Sequence, residues 1–163
     1  MKVRKSVLIG AGFILVVGGL GRLANGSIYT SLEARELIEA LSRSALYLGS
    51  AIAGSSATTL ALMLTLLGLV RQVNTDFDAE MYKRINRIAF LSTGLLGGSV
   101  VMLLLMTMPI GEFENVPVNW FKALYELLYW LVVTLSAALL SLVVMLFAAI
   151  RALISNITPS DEV

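Results

Sequence analysis

Residues Ser44 to Val70 read SALYLGSAIAGSSATTLALMLTLLGLV, 27 residues without a charge. A bilayer's hydrocarbon core, about 30 Å thick, is crossed by roughly 20 apolar residues at 1.5 Å of helical rise each, so this stretch is long enough to span it. The chain holds three more uncharged runs: Ser6 to Gly21 (16 residues), Ile88 to Gly111 (24) and Leu127 to Ile150 (24). All 23 charges of the 163 residues therefore lie outside these runs, although 58% of the chain is apolar. Soluble domains are about 45–50% apolar and about 25% charged, and they do not sort their charges in this way. The expected fold is all-α: one polytopic domain of four transmembrane helices in a compact bundle, with spans near 6–22, 44–70, 88–110 and 124–150.

The first run is short, about 24 Å as a helix. Lys5 and Arg22 flank it and can extend to the two interfaces. Lys2, Arg4 and Lys5 ahead of an apolar run also describe a secretory signal peptide, but Arg22 interrupts the region where cleavage would fall, so a retained span is expected. Orientation follows the cytoplasmic bias of Lys and Arg. With the N-terminus inside, Lys2, Arg4, Lys5, Arg71, Lys83, Arg84, Arg87 and Arg151 are cytoplasmic, against Arg22, Arg35, Arg43 and Lys122 outside. Both termini are then cytoplasmic. Short loops and no separate soluble domain lead us to expect a bacterial inner membrane.

Thr30 and Glu33 form a capping box, so a helix is expected from about Ser31. Nothing interrupts its pattern before Val70, which makes the second helix about 60 Å long, projecting outside the bilayer. Glu39 is placed to pair with Arg35 and Arg43, each four residues away. Asn74, Asp76, Asp78 and Glu80 imitate the start of a calcium loop, but Ala79 and Ile85 stand where the turn glycine and the bidentate glutamate belong. Thr75 or Asp76 is read instead as a helix cap, with Lys83, Arg84 and Arg87 meeting lipid headgroups. Pro109, Gly111 and Pro117 mark the outer turn, and Trp120, Phe121, Tyr125, Tyr129 and Trp130 form an interfacial belt. Residues 155–163 read as a flexible tail.

Small residues mark contact faces between membrane helices, because close backbone approach replaces hydrophobic burial as the driving force. Span two carries Tyr47, Ala51, Gly54, Thr58, Ala61, Thr65, Gly68 and Gln72 alternately four and three apart, a seam of 3.5-residue period. Span three carries Gly94 and Gly98, with Ala89, Thr93 and Gly97 beside them. Span four offers Thr134, Ala138, Ser141, Met145 and Ala148, and span one is rich in glycine. These seams are expected to close mainly inside one chain.

The chain has no Cys and no His. Disulfides, thiolate chemistry and imidazole metal sites are excluded, and no nucleophile has an evident base nearby. No catalytic, metal or cofactor site is expected, and a net charge of +1 gives no basic face for nucleic acid. The four uncharged runs hold no Asp, Glu, Lys or Arg of the kind that proton relays and voltage sensors use. The composition points to a non-enzymatic membrane protein that self-associates, or binds another membrane protein, through its small-residue helix faces. The alternative is a homo-oligomeric passive ion channel, with Glu112, Glu114 and Glu126 as an acidic, cation-attracting mouth and Thr134 and Ser141, or Thr58 and Thr65, lining the path. Lys122, four residues before Glu126, is that glutamate's expected partner if it serves only as an interfacial charge.

Overall fold

The computed structural model describes residues 2–24, 31–72, 79–107 and 118–157. They form four helices: α1 (Lys2–Ala24), α2 (Ser31–Gln72), α3 (Ala79–Met106) and α4 (Val118–Ile157). Three contain stretches long and apolar enough to cross a membrane: Glu36–Gly68, Tyr82–Met106 and Lys122–Ala152. The described part of α1 contributes a shorter apolar stretch, Ile14–Leu23.

The second helix is continuous, as its uninterrupted pattern predicts, and its 42 residues reach about 63 Å. In its N-terminal part exposed Arg43 donates to Glu39 at 2.6 Å; the side chain of Arg35 and the cap at Thr30 lie outside the described residues. The third helix stops at Met106, earlier than the expected 110, and the Thr107 amide closes it on the carbonyls of Leu103 and Leu104. Pro109 supplies a reason in sequence, since it disfavours helical backbone in the residue before it. The fourth helix runs through Ser155 and Asn156 to Ile157, so the start of the expected tail is helical. The expected helix cap at Thr75 or Asp76, the expected turn with Glu112 and Glu114, and the rest of the tail lie outside the described residues.

Helix α2 packs along α3, α4 packs against both, and α1 packs mainly on α4. The register of α2 on α3 is read from Gly49, where a Cβ would sit 3.0 Å from Leu103 Cδ2 and 3.3 Å from Met102 Cε. Counting in opposite directions from there brings buried residues into successive layers. Ala45, Ile52, Ser56, Thr59 and Met63 of α2 meet the level of Met106, Ser99, Leu95, Ser92 and Ile88 of α3, and all ten are buried. With Gly49 and Met102 included, each set alternates four and three apart, which is the heptad period of supercoiled helices. On α4 the same period runs through Tyr125, Leu128, Leu135, Leu142 and Ala149, buried in one core with α2 and α3.

The contacts also align the charges. Arg22 reaches Glu126, Gly18 lies against Val133 and Gly98 against Leu135, so α1, α3 and α4 share one frame. In it, Arg22, Glu126 and Thr107 stand at one level, and the α2 register puts Ser44 there as well. Arg87 lies 20 residues along α3 from Thr107, about 30 Å, with Lys83 and Arg84 beyond it. On α3 this leaves a charge-free length that matches the thickness of a bilayer core.

Candidate functional site

The expected seam of α2 faces away from the rest of the chain. Tyr47, Ala51, Gly54, Thr58, Ala61, Thr65 and Gly68 are all exposed, and Tyr47 keeps 83% of its surface. Each stands two residues after a member of the inward line, the buried Ala45, Gly49, Ile52, Ser56, Thr59 and Met63 and the partly buried Leu66. Two residues turn a helix through about 200°, so the two lines occupy opposite faces. The expectation that the seams close inside the chain is therefore corrected for α2. The outward line is smooth as well as small. A Cβ at Gly54 or Gly68 would meet nothing within 4 Å. Thr58 and Thr65 donate to their own helix's carbonyls, Gly54 O at 2.8 Å and Ala61 O at 3.0 Å, which satisfies both threonine hydroxyls.

The GxxxG pair of α3 divides. A Cβ at Gly98 would lie 2.8 Å from Leu135 Cδ2, so this glycine admits α4, while Gly94 and Gly97 face open space. Thr93 beside them is exposed and bonded to Ala89 O. Gly49 was absent from the expected seams. Its signal was available, since it lies four and three residues from Ala45 and Ile52, but its line mixes large residues with small ones.

In the first turns of α4, Glu126 is held by Arg22 of α1 at 2.5 Å instead of by the neighbouring Lys122. The pair corrects the expected Lys122 partner, and a guanidinium balances this one carboxylate. Tyr129, one turn along α4, donates its hydroxyl to Gly18 O at 2.6 Å. That approach requires glycine nearby: a Cβ on Gly21 would lie 2.7 Å from the Tyr129 oxygen, and one on Gly18 would lie 2.6 Å from Val133 Cγ1. Two glycines of α1 thus make room for a tyrosine and a valine of α4. Of the aromatic belt, Tyr125 is buried in the core and stacked on Tyr129, whereas Trp120 and Trp130 stay exposed.

The remaining expected residues separate by position. Thr134 is exposed on α4, but Ser141 is buried, its hydroxyl donating to Ala137 O at 2.9 Å. Ser141 is thereby withdrawn from any surface that could line a path between copies. Lys83 and Arg87 are exposed at the opposite end, with Arg84 half-buried between them. Among the described residues, no group of three or more His, Cys, Asp or Glu could hold a metal ion. No family model, curated protein or solved structure matches this chain.

Proposed function

We propose that this chain is a non-enzymatic membrane protein of four spans, N- and C-termini cytoplasmic, that self-associates through the outward face of α2. The observation that carries this reading is the exposed line Ala51, Gly54, Thr58, Ala61, Thr65 and Gly68. Small residues let a second helix approach closely, and hydroxyls already bonded to their own backbone need no lipid-phase partner. A second copy inserted the same way up presents the same line, and a 3.5-residue period suits two parallel helices winding around each other. In this reading α1 is the fourth span, docked on α4 through Arg22, Gly18 and Gly21.

The test is the mass of the full chain in a mild detergent and in lipid nanodiscs. An oligomer is expected for the unmodified protein and a monomer for the variant carrying Gly54→Leu and Ala61→Leu. A monomer throughout, or an oligomer indifferent to both substitutions, overturns the proposal.

One observation favours a second reading, a passive channel shared between copies: Thr58 and Thr65 stand on the same outward line and would face a common axis in a ring. Planar-bilayer recording decides it. Conductance reduced by Thr58→Val and Thr65→Val supports the channel, and a silent membrane across voltage and tension removes it.

A further inference from the structure

Two hydroxyls in the α2–α3 interface break the rule that the other described hydroxyls there obey. Ser56 and Ser92 are fully buried, and neither Oγ has a hydrogen-bond partner. The other buried hydroxyls between these helices close on their own backbone: Thr59 donates to Ser55 O and Ser99 to Leu96 O, each at 2.8 Å. A buried, unsatisfied hydroxyl costs about 1–3 kcal/mol, so a pair in one interface calls for a partner.

The register gives the axial offset of the two serines. Counted from Gly49 and Met102, Ser56 lies in the layer of Leu95, and Ser92 lies in the next layer with Thr59. Successive layers, 3.5 residues apart, are separated by about 5 Å along the axis. One water bonds to two oxygens at about 2.8 Å each and so spans that gap. Thr59 Oγ1, which uses its hydrogen on Ser55 O, keeps a lone pair for a third bond, and about three is the usual complement of a buried water.

We propose that a single buried water, bridging Ser56 and Ser92 with Thr59 beside it, occupies the α2–α3 interface inside the apolar slab, about two-thirds of the way from the level of Thr107 to that of Arg87. It ties the two helices together where neither lipid nor bulk solvent can satisfy the serines. The site is independent of the association reading, because it lies on the face of α2 opposite the outward line.

Alanine substitution tests the site by sign. If the hydroxyls are dry, removing one removes an unsatisfied group, and the protein gains stability. With the water present, removing one takes a partner from the other, and stability falls. We expect Ser56→Ala and Ser92→Ala each to lower the apparent melting temperature of the full chain in detergent by several degrees. The double variant should fall no further than the worse single one, since both act on the same water. Singles that are unchanged or raised, or losses that add in the double variant, overturn the site. An experimental density map fine enough to show waters gives an independent readout: a peak about 3 Å from both oxygens is expected, and an empty interface there contradicts the proposal.

Discussion

Gly18 and Gly54 are chemically the same residue in opposite situations. A methyl group on Gly18 would press into both γ-carbons of Val133, a branched side chain held close to its own backbone, whereas one on Gly54 would meet nothing. Gly18→Ala is therefore expected to destabilise the α1–α4 contact by about 1–3 kcal/mol, the usual cost of overpacking. Gly54→Ala and Gly12→Ala should be neutral, or stabilising by up to about 1 kcal/mol from helix propensity. Thermal unfolding of the three variants in one detergent checks the order. Nearby, Tyr129→Phe removes the hydroxyl that bonds Gly18 O, at an expected cost of about 0.5–1.5 kcal/mol. Glu126→Gln should cost less than about 1 kcal/mol and lose its effect at high salt, because solvent reaches both members of the Arg22 pair. A larger loss for Glu126→Gln than for Tyr129→Phe would show that the ion pair, and not the hydroxyl, holds α1.

At the level of elements, helix existence and length were readable because charges and prolines punctuate the chain. Arg43, Arg71, Arg87 and Arg151 bracket the uncharged runs, and the unbroken pattern after Ser31 announces the length of α2. The inward face of α2 was not readable in the same way. In water, apolar residues point inward and polar ones outward, but in lipid both faces of a span are apolar and periodicity loses its direction. Smallness then marks where a helix can be approached without saying by what. Gly54, Thr58 and Ala61 read as an interior seam for that reason, and the true interior line was overlooked because Ile52, Met63 and Leu66 interrupt its small residues. Large residues there have a physical role, as α3 returns Ser92 and Ser99 into the same interface and the volumes must sum to close packing. The Arg22–Glu126 pair was equally hidden, since its members are 104 residues apart and only the α1–α4 register unites them.

Taken as a whole molecule, the chain separates its faces. Helix α4 is covered on one side by α2 and α3 and on another by α1, while α2 keeps a smooth outer face along its length. The proposed orientation predicts that a thiol introduced by Glu112→Cys reacts with a membrane-impermeant reagent from outside intact cells, and one introduced by Asp78→Cys only after permeabilisation. The reverse pattern would invert the orientation. The outer face of α2 is the central claim, and a protein without native cysteine allows it to be scanned cleanly. Single cysteines are placed by Ala53→Cys, Gly54→Cys, Thr58→Cys, Leu60→Cys, Ala61→Cys and Thr65→Cys, and oxidative cross-linking is measured in native membranes. The account predicts dimer from positions 54, 58, 61 and 65 and none from 53 and 60, which lie on the flank of α2 beside its buried line. Cross-linking at 53 and 60 in preference to the others, or at no position, would contradict it.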